Sequence, residues 1–179
     1  MEGKLVRLRA YEKSDLEALM KWINDEEVKQ FLGNGALTYP MSRIQQERYI
    51  ESVSNEAHDQ RTFAIETLNH HYIGALDLRN INWIDRHAGI GIVIGDKDYW
   101  GKGFGTDAMR VLLRIAFDKM NLHRVHLDVH AFNERAVACY KRLGFKQEGV
   151  MREYHYGKGR YHDTIMMGLL ASEYRAAPK

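Results

Sequence analysis

Residues 89–106 hold the pattern that most limits what this chain can fold into. Gly89-Ile90-Gly91-Ile92-Val93-Ile94 is a near-continuous apolar run, which suits a strand covered on both faces. Tyr99-Trp100-Gly101-Lys102-Gly103-Phe104-Gly105-Thr106 follows, with glycine at every second position from Gly101 to Gly105. Met109, Leu112, Leu113, Ala116, Phe117 and Met120 then recur at helical spacing, which predicts a helix over 106–120. The glycines let the backbone turn sharply and come close to a ligand. The helix start offers unpaired N–H groups and the positive end of a dipole, so the unit is an anion site, most naturally for a phosphate or pyrophosphate. The P-loop pattern G-x-x-x-x-G-K-[ST] is absent, because Lys102 lies between glycines, and G-x-G-x-x-G fails because its third glycine falls on Thr106. A plain βα turn is the alternative reading of the loop alone.

The rest of the chain supplies the scaffold. A strand is expected at 5–9, then a helix capped by Ser14 with Glu17 and carrying Leu16, Leu19, Met20 and Ile23 on one stripe. A second capping box, Ser42 with Gln45, opens a helix to about residue 53 bearing Ile44, Tyr49 and Ile50. Residues 62–67 and 72–78 read as a hairpin around the turn 68–71, and 125–129 as a strand with alternating Val125, Leu127 and Val129. A helix over 133–143 stops at Gly144, with Phe145 placed for the contact of a Schellman cap. Strands 146–154 and 162–170 pair around Gly157-Lys158-Gly159. The order β-α-α-β-β-β-α-β-α-β-β describes a mixed α/β fold, and 179 residues suit a single domain, 1–179. One cysteine, Cys139, excludes an intramolecular disulfide and a multi-cysteine zinc site. A net charge of +2 is too mild to argue for nucleic acid or a membrane surface. With no apolar run of membrane length and no leader-like start, a cytoplasmic protein is expected.

Two segments carry a resemblance. Gly101-Lys102-Gly103-Phe104-Gly105, after a buried strand and before an amphipathic helix, resembles motif A of the GNAT superfamily of N-acetyltransferases. Asn133-Glu134-Arg135-Ala136-Val137-Ala138-Cys139-Tyr140-Lys141-Arg142-Leu143-Gly144-Phe145 is similar to that family's N-x-x-A-x-x-x-Y-x-x-x-G-F segment, and it too follows a strand. The tail from Tyr161 to Leu169, with Trp100 before the glycines, resembles the branch of ribosomal-protein alanine and spermidine acetyltransferases. Trp100 stands where many members carry Arg or Gln, which removes one phosphate-side cation and leaves the N–H cradle.

The resemblance implies a twisted mixed sheet flanked by helices and acetyl-coenzyme A as cofactor, with no metal. The pyrophosphate would sit on the N–H groups around Lys102, Gly103, Phe104, Gly105 and Thr106. The pantetheine arm would pair with the open edge of Ile92, Val93 and Ile94, with an N–H near Ile92 or Val93 polarising the thioester carbonyl. Asn133 would bond the pantetheine region, or serve as a helix N-cap, or both. Tyr140 would protonate the departing thiolate as general acid, although its spacing also suits a core tyrosine. Many members place a glutamate on the strand before motif A; residues 89–94 hold no carboxylate. Candidate bases are therefore His130, ranked first because its pKa suits neutral pH, then Asp128, Glu66 and Glu153, with a water chain as the alternative.

Three further signals bear on function. His126 and His130, four apart, would be about 13 Å apart on a strand, too far for one ion. The region from Lys102 to Arg160 is basic, while Asp25, Glu26, Glu27, Glu47, Glu51 and Glu56 gather in the first third, whose helices the resemblance assigns to part of the acceptor pocket, and this leans towards a cationic amine acceptor. Cys139 reads as a structural thiol and not a nucleophile. The expected activity is direct acetyl transfer in a ternary complex to a primary amine, a protein N-terminus or a small-molecule amine such as a polyamine; a homodimer is common in the branch the chain resembles, and no residue of the sequence locates an interface. The rivals are a non-catalytic acyl-coenzyme-A-binding regulatory module and a mononucleotide binder.

Overall fold

The computed structural model describes residues 1–32, 39–54 and 59–176, so Glu56 and His58 lie outside the described residues. The strands are β1 (Val6–Arg9), β2 (Arg61–Thr67), β3 (Tyr72–Asn82), β4 (His87–Ile94), β5 (Arg124–His130), β6 (Lys146–Gly157) and β7 (Arg160–Leu170). They form one sheet in the order β1-β2-β3-β4-β5-β7-β6. Each neighbouring pair is antiparallel except β4 with β5, which is parallel. The helices are α1 (Leu16–Ile23), α2 (Glu26–Lys29), α3 (Arg43–Ser54), α4 (Phe104–Arg114), α5 (Glu134–Arg142) and α6 (Ala171–Ala176). The mixed α/β order expected from the sequence is present, with short α2 and α6 added.

Strand alternation separates two apolar layers. Ile65, Leu76, Ile90, Leu127 and Leu169 join Ala108, Met109, Leu112 and Phe117 of the helix after the glycine loop in one core. Ala64 and Ala75 face the other way and pack with Leu16, Trp22, Val28 and Ile50 of the first three helices. Trp22, absent from the expected α1 stripe, joins Leu16 of that helix in this layer. It has room because Gly95 lacks a Cβ, which would overlap the indole, and it lies 4.9 Å from the Tyr72 ring. Ile44, expected on the inner stripe of α3, is 61% exposed, while Ile50 carries the packing.

Local signals held where the partners are close in sequence. Ser42 and Gln45 exchange their bonds as a capping box, with the Ser42 N–H donating to Gln45 Oε1 at 2.8 Å and the Gln45 N–H to Ser42 Oγ at 3.3 Å. The Schellman cap of α5 is present: Gly144 has φ 93°, its N–H donates to Lys141 O at 3.0 Å, and the Phe145 N–H donates to Tyr140 O at 3.0 Å. The β6–β7 hairpin turns on Lys158 and Gly159, both with positive φ, which extends both strands beyond the expected ends.

Two helix starts differ from expectation. The Ser14–Glu17 box does not form; the turn before α1 is closed by the Glu12 N–H donating to Asp15 Oδ2 at 2.9 Å. Asp15 is drawn inward by Arg9, which donates to it at 2.7 and 2.8 Å. The helix after the glycine loop begins at Phe104 and not Thr106, because Gly103 with φ 90° serves as its N-cap. It also widens into a π turn at Ile115–Lys119, where the Met120 N–H donates to Ile115 O at 2.9 Å.

Arg9 also links this corner to the sheet. Its Nε donates to Glu66 Oε1 at 2.9 Å, and Arg7 holds the other Glu66 oxygen. Burial pushes the Glu66 carboxyl up, but the bonds and charges of Arg9 and Arg7 outweigh it and hold the group below its ordinary range. A depressed carboxylate contributes stability above its unfolded pKa of about 4.3 and loses it as pH falls through the lower folded value. Glu66→Gln is expected to cost about 3 kcal/mol at pH 7. The gap to the parent should narrow below about pH 4 in denaturant titrations; equal stability at pH 7 would contradict the ion-pair account.

Candidate functional site

The site begins where two strands part. β4 and β5 pair only at His87 with Arg124, Ala88 with Val125 and Gly89 with His126. Past Gly89 they are no longer paired, although β3 follows β4 to Ile94 and β7 follows β5 to His130. The Gly95 N–H donates to Ile73 O at 2.9 Å, on the β3 side. By alternation, the backbone groups of Ile94 and Ile92 point into the gap. Trp100 agrees with that direction: its Nε1 donates to Ile94 O at 2.6 Å.

The glycine loop closes one side of the gap. A Cβ on Gly105 would lie 3.5 Å from Ile94 Cγ1 and 4.0 Å from Ile92 Cδ1, so the first turn of α4 sits against that edge. Gly101 at φ 72° and Gly103 at φ 90° hold a conformation that disfavours other residues. The N–H groups of Phe104, Gly105 and Thr106 belong to the free first turn of an 11-residue helix. Lys102 is exposed and borders an open hollow with Asp96, Asp98 and Tyr99.

The other side comes from α5. Asn133 is its N-cap, accepting from the Ala136 N–H at 3.3 Å. Thr106 Oγ1 and Cys139 Sγ are 3.1 Å apart, which ties α5 to the first turn of α4. Cys139 is half-buried. Tyr140 follows it, 8% exposed, with its ring 5.9 Å from Phe145. Burial, with a smaller contribution from Cys139, pushes its phenol well above the ordinary tyrosine value, so it is protonated at neutral pH.

The expected base candidates scatter. His130 is buried in a ring stack, 5.2 Å from Phe132 and 4.0 Å from His155, with Nδ1 3.4 Å from Thr164 Oγ1. Burial and the neighbouring His155 lower its pKa. Asp128 is exposed on β5. Glu66 is bound by two arginines, which overturns its candidacy. Glu153 is exposed at an irregularity of β6, where its N–H donates to Asp163 Oδ1 at 2.8 Å. Half of the acidic set of the first third is engaged by lysines: Lys97 reaches Asp25 at 2.9 Å and Glu27 at 2.6 Å, and Lys29 reaches Glu26 at 3.0 Å.

Three features escaped sequence reasoning. Arg135 lays its guanidinium 4.7 Å from the Trp100 ring centroid and 5.9 Å from that of Phe31, so a cation returns to Trp100 from α5. Asp107, 4% exposed in the first turn of α4, accepts from the N–H groups of Leu5 at 2.7 Å and Val6 at 3.1 Å. Asp77, half-buried on β3, accepts from the Gly91 N–H at 2.9 Å. Only Asp77 had a sequence signal, a lone carboxylate within the apolar stretch 72–78. Among the described residues no group of three or more His, Cys, Asp or Glu could hold a metal ion, and no helix is long and apolar enough to cross a membrane.

Comparison with known proteins matches this geometry. The sequence model of the family described as "Acetyltransferase (GNAT) domain" matches residues 6–146. The spermidine N(1)-acetyltransferase of Vibrio cholerae is 31% identical over 167 residues, covering 93% of this chain and 94% of that one. An N-acetyltransferase of Bacillus licheniformis designated p20 is 29% identical over 167 residues, covering 93% of each chain. A crystal structure of the Vibrio cholerae spermidine N-acetyltransferase, in complex with CoA and spermine, superposes with a TM-score of 0.85 at 30% identity, covering 95% of this chain and 98% of that chain.

Proposed function

The chain belongs to the GNAT family of acetyltransferases, and from that premise we propose that it moves an acetyl group from acetyl-coenzyme A directly to a primary amine of an aliphatic polyamine. The observation that carries this reading is the gap past Gly89, with an open strand edge on one side and a helix start on the other. Acetyl-coenzyme A supplies an activated acetyl thioester. The residues present fit it: a left-handed Gly103, free N–H groups from Phe104 to Thr106, and backbone groups of Ile92 and Ile94 aimed into the gap. Lys102 adds a solvated charge near the phosphates. Val93 lies between the two pairing residues, so the N–H of Ile92 is the one that polarises the acetyl carbonyl. Asn133 fixes the start of α5 and offers its amide to the pantetheine.

Tyr140 is the general acid, because a protonated phenol at the α4–α5 junction can hand its proton to the departing thiolate. His130 is buried and stacked against Phe132 and His155. The whole of 1–179 acts as one catalytic domain. The acceptor class is supported by the relatives named for spermidine. The test is thiol release from acetyl-coenzyme A with spermidine, spermine, amino acids and an alanine-terminal peptide. Polyamines are expected to turn over fastest, and Cys139→Ser is expected to keep more than half of the parent rate, since no acyl-enzyme forms. Tight coenzyme A binding with no turnover on any amine would overturn the reading.

A further inference from the structure

An alkylammonium must lose a proton before it can attack, and β4 carries glycines at positions 89 and 91 where no side chain can take it. The space above Gly91 is filled from the neighbouring strand. A Cβ on Gly91 would lie 2.8 Å from Asp77 Oδ1, the same oxygen that accepts the Gly91 N–H. Asp77 is thus one residue from Ile92, the donor assigned to the acetyl carbonyl. Its strand position also fixes its side of the sheet: Asp77 alternates in phase with Ala75, which packs under the first three helices, and out of phase with Leu76, which joins the α4 core. Asp77 therefore lies on the face opposite α4, the face from which an amine can approach an acetyl group whose phosphates are held by α4.

We propose that Asp77 is the catalytic base, pairing with the acceptor ammonium and taking its first proton. This rests on the acetyl-transfer reading above. The N–H bond of the ammonium breaks to the Asp77 carboxylate, which passes the proton to solvent. The free amine then forms the C–N bond to the acetyl carbon, and the C–S bond breaks as Tyr140 protonates the thiolate. The second proton leaving nitrogen balances the one Tyr140 has given. Protons and charge close with coenzyme A thiol, the N-acetyl amine and one proton released.

The surroundings suit the task. Burial raises the carboxyl above its ordinary range, while Arg79 on its own strand and the Gly91 N–H restrain the rise. Tyr49 on α3 feels the Asp77 charge, and Thr62 is its register partner on β2. Tyr49 and Tyr72 each meet the Tyr11 ring in a T-shaped contact, with centroids 6.2 Å apart in both pairs, on the same side of the sheet as Asp77.

The experiment compares Asp77→Asn and Asp77→Glu with the parent protein on two acceptors: spermidine, charged at neutral pH, and an aryl hydrazine, already largely neutral there. Asp77→Asn is expected to lower kcat/KM for spermidine roughly 100-fold, and to flatten the rise of the rate with pH. It should change the hydrazine rate less than about fivefold and leave coenzyme A affinity by calorimetry unaltered; Asp77→Glu should recover part of the spermidine rate. Equal losses on both acceptors, or a loss under about threefold on spermidine, would overturn the base role while leaving the acetyltransferase reading in place. A parent protein silent on every amine would overturn both.

Discussion

Tyr140→Phe is expected to lower kcat by about 100-fold or more, the usual contribution of a positioned general acid. That corresponds to about 2.7 kcal/mol of transition-state stabilisation. The change removes a single oxygen from a ring that is 8% exposed, and the ring's packing against Phe145 is kept. The backbone of Tyr140 accepts the Phe145 N–H through its carbonyl, so the α5 cap survives the substitution. The dissociation constant for acetyl-coenzyme A should move less than threefold, because the cradle and strand edge are untouched. With its phenol held protonated by burial, Tyr140 supplies no alkaline limb to the parent's rate profile in the accessible range. Stopped-flow thiol release with saturating amine reads kcat, and calorimetry reads the cofactor. A variant with parental kcat would remove Tyr140 from the chemistry and leave it as a core residue.

The elements legible from sequence were those whose causes lie within a few residues. The glycine turn, the Asn133 cap and the Gly144 stop each depend on partners at most five positions away, so the pattern alone contains them. The first α1 cap was misread because the competition was decided at a distance. Ser14 has the right chemistry, but Arg9 on β1 captures Asp15 and the Glu12 N–H follows it. Burial was harder still. Ile44 and Ile50 look alike in sequence, and only the docking of α3 on the sheet tells them apart. The acidic first third suggests an acceptor attraction, yet Lys97 is shared between Asp25 and Glu27, and Lys29 pairs with Glu26, so part of that charge is already engaged. Asp77 emerges only once β3 and β4 are in register, because the missing side chain at Gly91 and the carboxylate that fills its place are 14 residues apart.

Asp107 presents the longest-range case and the second large expected effect. It lies in the first turn of α4, three residues after the helix begins, and its carboxylate faces β1 instead of solvent. One oxygen accepts the N–H groups of both Leu5 and Val6, while Gly3, lacking a Cβ, lets the backbone lie against the carboxyl group. The N-terminal edge strand is thereby fixed to the same helix turn that forms the phosphate cradle. Asp107→Ala leaves two N–H donors without that acceptor, so it is expected to destabilise the protein by about 3 kcal/mol. Asp107→Asn keeps one acceptor oxygen and should lose about half as much. Coenzyme A stabilises whatever state binds it, by about 2.7 kcal/mol at a hundredfold excess over its dissociation constant. If β1 holds the cradle in place, coenzyme A at one fixed concentration will raise the melting temperature of Asp107→Ala less than that of the parent. Equal melting shifts would mean that the α4 turn keeps its shape without β1. A parental melting temperature in the unliganded variant would show that water replaces the carboxylate at no cost.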